Sequence, residues 1–379
     1  MKICYLARAK QLYFVRWYEY FINHGHEVHV ISGDDSLINV GVEMPTGVNV
    51  HYIPEKKLRN QVVSFGYNLL RLPLIIKELK KITRQISPDV IHAHQITPSG
   101  LWAAVSNYHP FIMTPMGSDV LVHARENFIY RLITRYVFSK ADLITSDSII
   151  LQEAILELGG RHEKNYIIQN GVDFKVFNPN VDGSNIRKKL GLGNSPVILS
   201  TRGIAPLYNI DCIVKAIPKV LESLPDAQFL FTYIKEDSIS TVKELVKKLG
   251  FDASVKFIGC VDHKEIPFYH AAADILVSVP SSDSSPCSVY EAMACGTPVV
   301  ISDLPWTKHF MKNRENAMIV PVKRSEAIAG AILDILHNHE LKSKLTGAGL
   351  STVRRYVDYQ KNMEMMENLM ENIIRKTRL

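Results

Sequence analysis

The chain has 379 residues, a length typical of about two domains, each able to bury a hydrophobic core. It is 46% hydrophobic and 22% charged, as in ordinary globular proteins. Its five scattered cysteines form no C-x-x-C pair, so they indicate neither a disulfide framework nor a zinc site, and a reducing cytoplasm is the simplest setting. The net charge is a mild +6, and no run reaches the roughly 18 apolar residues of a membrane span.

The first half of the chain alternates short strand-like runs with helical stretches. A helix follows the first run, because the large aromatic residues between Phe14 and Phe21 share one face, and it ends near Gly25. The predicted strands are "KICYLA" (2–7), "EVHVIS" (27–32), "DVIHAH" (89–94), "PFIMTP" (110–115) and "ADLITS" (141–146), and "YIIQNGVD" (166–173) ends this half.

A stretch rich in Asn, Gly, Pro and Ser, residues 178–196, predicts a linker with a short helix. A second series of strands and helices follows it. The predicted strands are "PVILSTR" (196–202), "AQFLFTYI" (227–234), "VKFIGC" (255–260) and "ILVSV" (275–279), with helices near 209–224, 240–249 and 263–272. Two such series in tandem predict an α/β protein with two doubly wound parallel sheets. Ligands of such folds bind at the carboxyl ends of the strands, and we expect them in the cleft between the domains.

The segment "SSDSSPCSVYEAMACGTPVV" (281–300) separates two acids, Asp283 and Glu291, by a loop and the start of a helix. The pattern predicts, in order, a loop over 284–286, a helix over 289–295 and a buried strand over 299–301. The N-terminus of such a helix attracts phosphate, because it carries partial positive charge and free N–H groups. The alternative is structural: Ser288 and Glu291 form an S-x-x-E capping box, and Asp283 is a solvated loop acid.

Positive charge is concentrated in residues 55–84, where eight Lys and Arg against two Glu give +6, equal to the excess of the whole chain. Four of the basic residues share one face of a predicted helix, opposite an apolar face. This basic stripe consists of Lys77, Lys80, Lys81 and Arg84, and the apolar face of Ile75, Leu79 and Ile82. The stripe is either a solvated face or a surface that docks on anionic lipid headgroups. Nucleic acid is not expected, because no binding motif or aromatic platform accompanies the stripe.

Several short motifs occur together in the order typical of one enzyme family. They are "GHEVHVIS" (25–32), "HAH" (92–94), "GSDV" (117–120), "NGVD" (170–173), "VKFIGCVDHKEIPFYHAAADILVSVPSS" (255–282), and Asp283 followed after seven residues by "EAMACGTPVV" (291–300). With these motifs the chain resembles the glycosyltransferases of family 4 over about its whole length. The resemblance implies the GT-B fold, with Rossmann-like domains over 1–178 and 179–352 and a cleft between them. It also implies that a C-terminal helix over 353–379 packs back on the first domain.

The resemblance implies a retaining hexosyltransferase that takes a sugar from a nucleotide sugar, UDP- or GDP-linked. The implied acceptor is a glycan or a polyprenyl-lipid-linked glycan, in the synthesis of cell-surface polysaccharide, lipopolysaccharide or glycolipid at the cytoplasmic face of the inner membrane. The donor is a substrate, so no cofactor is expected. No metal is expected either, because the chain contains no D-x-D triplet.

Two other interpretations stay open: a same-fold epimerase or phosphorylase, and a non-catalytic scaffold with the GT-B fold. A nicotinamide dehydrogenase is not expected, because no G-x-G-x-x-G opens either sheet.

For the donor, the resemblance assigns Glu291 to the ribose hydroxyls and Asp283 to the hexose hydroxyls. A carboxylate suits this task because it accepts several hydrogen bonds at once. The helix start between the two acids, at Ser288 and Val289, is assigned to the diphosphate.

Arg202, in "STRGIAPLYNID" (200–211), matches the family's phosphate-binding Arg, whose guanidinium suits a leaving diphosphate. The structural alternative is a loop Arg in a surface ion pair. Most members carry a Lys shortly after this Arg, and Tyr208 stands at that position here. A phenol donates one hydrogen bond but brings no charge.

In the first domain, His94 matches the family's active-site His, and with Arg202 and Asp283 it completes the predicted catalytic set. The alternative is a satisfied polar residue at a strand end. His92 is expected on the opposite face of the strand. Gly117 and Asp119 lie in a loop that either faces the acceptor or is a plain turn.

Overall fold

The computed structural model describes residues 1–33, 43–53, 68–234 and 236–378. They divide into two units: the first comprises Met1–Gln169 and Lys361–Leu379, and the second is the continuous segment Asn170–Gln360. The predicted domain boundaries lay after residues 178 and 352. In the structure the second unit also includes the segments 170–178 and 353–360.

The first unit is built on a seven-stranded sheet in the order β3-β2-β1-β4-β5-β6-β7. Its strands are β1 (Lys2–Leu6), β2 (Glu27–Ser32), β3 (Val48–Tyr52), β4 (Val90–His94), β5 (Phe111–Thr114), β6 (Leu143–Ser146) and β7 (Asn165–Ile167). All pairs among them are parallel. Five of the strands match the five runs predicted for the first half, and β3 and β7 form the edges.

Helices cover both faces of this sheet, which is why its central strands are apolar on both sides. They are α1 (Leu12–Asn23), α2 (Leu72–Ile86), α3 (Leu101–Ser106), α4 (Ala124–Glu126), α5 (Phe128–Lys140) and α6 (Ile149–Glu157).

The amphipathic helix predicted near residue 80 is α2. It buries Ile75, Leu79 and Ile82 and leaves all four residues of the basic stripe exposed, as predicted. Of the predicted basic region 55–84, residues 55–67 lie outside the described residues.

The second unit repeats the architecture with a six-stranded parallel sheet in the order β10-β9-β8-β11-β12-β13. Its strands are β8 (Val197–Ser200), β9 (Gln228–Thr232), β10 (Val255–Gly259), β11 (Ile275–Ser278), β12 (Val299–Ser302) and β13 (Met318–Val320). Its helices are α7 (Ser184–Leu190), α8 (Ile210–Ser223), α9 (Ile239–Leu249), α10 (Ile266–Ala272), α11 (Cys287–Ala294), α12 (Ser325–His337) and α13 (His339–Tyr356). Two doubly wound parallel sheets are therefore present, as the sequence predicts.

The C-terminal helix, α14 (Tyr359–Arg378), belongs to the first unit from residue 361 onward. One apolar face is buried and consists of Met363, Met366, Met370 and Ile374. Next to that face, the carboxylate of Glu367 accepts a hydrogen bond from Tyr20 Oη at 2.9 Å and pairs with His26 Nε2 at 2.6 Å. As with every other described helix, α14 is not both long and apolar enough to cross a membrane.

Candidate active site

The candidate donor site lies where the winding of the second sheet reverses, between β8 and β11. The connections after these two strands run in opposite directions, so their carboxyl ends border a crevice. Arg202 comes two residues after β8, and Asp283 lies in the loop after β11. The topology thus brings together two residues 81 positions apart.

The guanidinium of Arg202 makes two side-chain hydrogen bonds in this crevice. Its Nη2 donates to Asp283 Oδ2 at 2.7 Å, and its Nη1 donates to Ser288 Oγ at 3.3 Å. The side chains of Arg202 and Asp283 are only 15% and 14% exposed. Asp283 also accepts a bond from the backbone amide of Ser284 at 2.9 Å. Asp283 is therefore not a solvated loop acid, and Arg202 is not a member of an exposed surface pair.

Tyr208 contacts Arg202 through its ring face. The guanidinium carbon lies 4.7 Å from the ring centroid, within the range of a cation–π interaction. The turn that carries Tyr208 is fixed by Asn209, whose side-chain amide donates to the carbonyl of Val279 and to Ser281 Oγ, both at 2.9 Å. At the position where the resemblance implies a second cation, this chain has an aromatic ring that packs against Arg202.

The helix that follows, α11, begins at Cys287, with Pro286 at its N-cap and no side-chain hydrogen bond there. Ser288 therefore lies inside the first turn, where its hydroxyl accepts the bond from Arg202. Because Ser288 is not the capping residue, the S-x-x-E capping box does not form. Val289 is fully buried in the core of this unit. The positive end of the helix and the guanidinium of Arg202 meet at Ser288.

Glu291, one turn further along α11, is 6% exposed. Its Oε1 lies 3.4 Å from His263 Nε2. A second histidine, His270, is buried, and burial lowers its pKa to about 4, with the charge of Glu291 opposing that shift and His263 adding to it. The ring of Phe177 packs against both imidazoles, at centroid distances of 5.5 and 6.3 Å.

Neither His263 nor His270 was predicted from the sequence as a site residue. A signal was present, since the two lie seven residues apart, and that spacing would place them on one face if the helix predicted near 263–272 included both, but α10 begins only at Ile266. It was weak, because histidines at that spacing are also common on helix faces that bind nothing.

In the first unit, His94 ends β4 and is 1% exposed. Aromatic rings enclose it, with centroids of Phe14, Trp17 and Tyr5 at 4.4, 5.2 and 5.6 Å. Neither ring nitrogen has a hydrogen-bond partner among the described residues. Burial lowers the pKa of His94 to about 3, so this imidazole is neutral at physiological pH.

His92 packs against His94, with ring centroids 4.3 Å apart. The expectation that it points to the opposite strand face was wrong, because side chains two residues apart in a strand point to the same face. Its Nε2 contacts Thr114 Oγ1 at 2.7 Å. Burial, and then the proximity of His94, lower the pKa of His92 well below its usual value.

Gly117 adopts φ +91°, a conformation that glycine tolerates, and opens the turn that carries Asp119. The buried carboxylate of Asp119 accepts backbone N–H bonds from Ile96 and Met116 at 3.0 Å and from Val120 at 3.1 Å. Burial raises its pKa, against the effect of these bonds. Asp119 joins the loops that follow β4 and β5, which favours the plain turn over an acceptor contact for this side chain.

The predicted site residues are thus divided between the two units. The donor set, comprising Arg202, Tyr208, Asp283, Ser288, Val289 and Glu291, lies in the second unit, while His94, Gly117 and Asp119 lie in the first. Over the described parts of the chain, no group of three or more His, Cys, Asp or Glu side chains is placed to hold a metal ion.

Two family models match this chain. Residues 2–148 match the model described as glycosyl transferase 4-like, and residues 182–351 match that of the glycosyl transferases group 1. The chain belongs to this family of glycosyltransferases. It is accordingly a glycosyltransferase that uses a nucleotide sugar.

Known proteins resemble it over most of its length. N-acetyl-alpha-D-glucosaminyl L-malate synthase of Bacillus anthracis is 21% identical, over 93% of this chain and 90% of that protein. The putative teichuronic acid biosynthesis glycosyltransferase TuaC of Bacillus subtilis is 26% identical, over 79% of this chain and 74% of the relative. The crystal structure of HepE of Anabaena, in complex with UDP and glucose, has a TM-score of 0.82 at 17% identity, covering 98% of this chain and 100% of that one. This structural likeness confirms the GT-B fold.

Proposed function

We propose that the protein transfers a hexosyl group, with retention of configuration, from a UDP- or GDP-linked sugar to a hydroxyl of a glycan or lipid-linked acceptor. The observation that carries the proposal is the position of Arg202, which Asp283, Ser288 and Tyr208 hold at the N-terminus of α11. A fixed guanidinium and a helix N-terminus at one point form a site for a diphosphate.

The leaving group of this reaction is a nucleoside diphosphate, on which negative charge develops as the bond from the anomeric carbon to the phosphate oxygen breaks. Groups fixed in advance at that position lower the barrier, because they need no reorganisation in the transition state. Arg202 supplies a full positive charge, and the first turn of α11 supplies N–H groups and the helix dipole. We propose that these two elements replace a metal ion in this chain.

The two carboxylates bind the neutral parts of the donor in this proposal. When the diphosphate binds the guanidinium of Arg202, Asp283 loses its hydrogen bond to Arg202 and accepts hydrogen bonds from the hexose hydroxyls instead. Glu291 accepts hydrogen bonds from the two ribose hydroxyls, and the contact with His263 orients its Oε1. His94, neutral and enclosed by aromatic rings, would face a sugar by apolar and hydrogen-bond contact rather than as a cation.

Retention is proposed to follow from attack on the same face that the leaving diphosphate departs from. The bond from the anomeric carbon to the acceptor oxygen forms as the bond to the phosphate oxygen breaks, and the acceptor proton passes to the diphosphate. The solved structure of HepE, which holds UDP and glucose, supports the donor class, and the likeness to TuaC, named for teichuronic acid biosynthesis, supports a glycan acceptor.

The experiment is a transfer assay with UDP-, GDP- and ADP-sugars, combined with a thermal-shift screen of the same donors, because a ligand that binds the native state raises its melting temperature. The proposal expects one donor class to stabilise the protein and to give an acceptor-dependent product whose anomeric configuration, measured by NMR, equals that of the donor. It also expects turnover to persist in excess EDTA.

Other outcomes would contradict the proposal in distinct ways. An inverted product overturns retention. Activity that EDTA abolishes and Mg²⁺ or Mn²⁺ restores overturns the metal-free mechanism. Conversion of the nucleotide sugar without an acceptor identifies an epimerase, and donor binding without turnover over a broad acceptor panel identifies a scaffold.

A further inference from the structure

Helix α5 (Phe128–Lys140) has two apolar faces. The inner face, with Thr134, Val137 and Phe138, is buried in the core of the first unit. The opposite face is also apolar but is open to solvent. We call it the apolar stripe, and it consists of Phe128, Ile129, Leu132 and Tyr136. Phe128, the most exposed of the four, is 69% exposed.

A surface helix normally presents a polar face to water, so an outward apolar stripe calls for a binding partner. From Phe128 to Tyr136 the stripe runs about 12 Å along the helix axis. At 100° per residue its four members lie within one sector of the helix, directly opposite the buried residues.

Cations flank the apolar stripe on both sides. Arg131 and Arg135 border one side, and Lys140 borders the other. Arg131 is fixed, because its Nε donates to the carbonyl of Ala124 at 3.0 Å and its Nη2 donates to the carbonyl of Arg125 at 2.9 Å. An apolar face bordered by Lys and Arg is the pattern of a helix that lies in the headgroup region of a bilayer.

A second exposed apolar segment stands at the start of α2. Leu70 is 83% exposed and Leu74 is 65% exposed. The same helix carries the basic stripe of Lys77, Lys80, Lys81 and Arg84. Helices α2 and α5 both pack against α3. Because the helices of a parallel sheet run opposite to its strands, both helices begin, near Leu70 and at Phe128, at the carboxyl edge of the sheet, where β4 ends with His94.

We propose that the apolar stripe of α5 inserts into the surface of a bilayer that contains anionic lipids, with the flanking cations and the basic stripe on the headgroups. Charge complementarity selects this occupant, since the cations around both apolar segments match anionic headgroups. The sequence predicts the basic stripe of α2 as the membrane contact. The structure instead points to α5 as the principal contact. This inference does not depend on which donor or acceptor the enzyme uses.

The test is co-sedimentation of the full chain with vesicles of phosphatidylcholine, with and without about 30% phosphatidylglycerol. We expect binding to the anionic vesicles. The variant Phe128→Ser/Leu132→Ser should bind them at least about tenfold more weakly. The matched control is Ile234→Ser/Met365→Ser, which removes two apolar side chains of similar exposure elsewhere, 62% and 46%, and should bind as the wild type does.

A second measurement does not rely on loss of binding. The three native tryptophans, Trp17, Trp102 and Trp306, are all buried. In Leu132→Trp the new indole should therefore be the main one that brominated lipids quench, with a blue shift of its emission on binding.

Three results would overturn the proposal: no binding of the wild type to either vesicle, equal binding of the stripe variant, or no quenching of Leu132→Trp. A wild-type dimer that the stripe variant converts to monomers, with unchanged vesicle binding, would instead assign the apolar stripe to a second copy of the chain.

Discussion

The crevice around Arg202 and the cluster of aromatic rings around His94 hold candidate site residues in opposite physical states. In the crevice, Arg202 and Asp283 are charged, paired at 2.7 Å and still partly exposed. In the aromatic cluster, His94 is neutral, enclosed by rings and without a hydrogen-bond partner among the described residues. The first arrangement suits a charged ligand, while the second presents a neutral ring in an apolar setting. Under the proposed function, the diphosphate would therefore be bound by the second unit, and His94 would contribute to the reaction without a charge.

The largest effect that tests this comparison is expected from removing the charge of Arg202. We expect Arg202→Ala to lower kcat about 10²- to 10³-fold, the cost typical of losing one preorganised charge-stabilising group. The melting temperature should change little. The measurement is steady-state transfer with the preferred donor, alongside thermal unfolding.

The matched control for Arg202→Ala is Arg187→Ala. Arg187 pairs with Asp274 at 2.8 Å in the same unit, but that pair joins α7 to the sheet. We expect this variant to lower the melting temperature and to leave kcat near the wild-type value. If both variants lose activity equally, Arg202 acts only through folding.

Glu291→Ala should weaken donor binding about ten- to a hundredfold, because charge-assisted hydrogen bonds of roughly 1.5–3 kcal/mol are lost. Titration calorimetry with the nucleoside diphosphate measures this directly. Unchanged nucleotide affinity with a large drop in melting temperature would show that Glu291 supports the fold instead.

The state of His94 can be measured through the dependence of stability on pH. Its folded pKa of about 3 lies below the usual value of 6.5, so between these values the unfolded state binds one more proton. The contribution of His94 to the free energy of unfolding is therefore fully present above pH 6.5. It decreases on acidification by about 1.4 kcal/mol per pH unit. In His94→Phe the free energy of unfolding, measured by urea unfolding between pH 7 and 5, should depend less steeply on pH, because the contribution of His94 is lost. The exposed His162→Gln is the control, and an unchanged slope in His94→Phe would mean that His94 is not buried neutral.

The smallest effect is expected at Tyr208. Tyr208→Leu should reduce kcat/KM about two- to fivefold, because a partly exposed cation–π contact contributes about 0.5–1 kcal/mol to holding Arg202. Tyr208→Lys, which restores the usual cation, should keep or raise activity. Activity in Tyr208→Leu as low as in Arg202→Ala would show that the phenol itself contacts the donor.

The sequence predicted the two sheets well because buried parallel strands are continuous apolar runs, such as "VIL" in β8. It missed β3, a short edge strand whose side chains are half exposed and leave little periodicity. In the candidate site, the family resemblance pointed to Arg202, Asp283 and Glu291, because each stands at a fixed place in a sequence motif. It could not locate His263, whose contact with Glu291 depends on how α10 packs on the sheet. The capping-box alternative failed because the pattern does not specify which residue is the N-cap, and Pro286 rather than Ser288 occupies that position.

The C-terminal helix α14 makes the first unit discontinuous along the chain. Residues 361–378 belong to the first unit, where Met363, Met366 and Met370 are buried and Glu367 bonds to Tyr20 and His26. The second unit is one continuous segment, Asn170–Gln360. The ribosome releases residues 1–169 first, but α14 can pack on them only after residues 361–378 have emerged. We infer that the second unit can complete its fold before the first, and that a nascent chain stalled before residue 361 leaves the surface of the first unit that α14 covers open to chaperones.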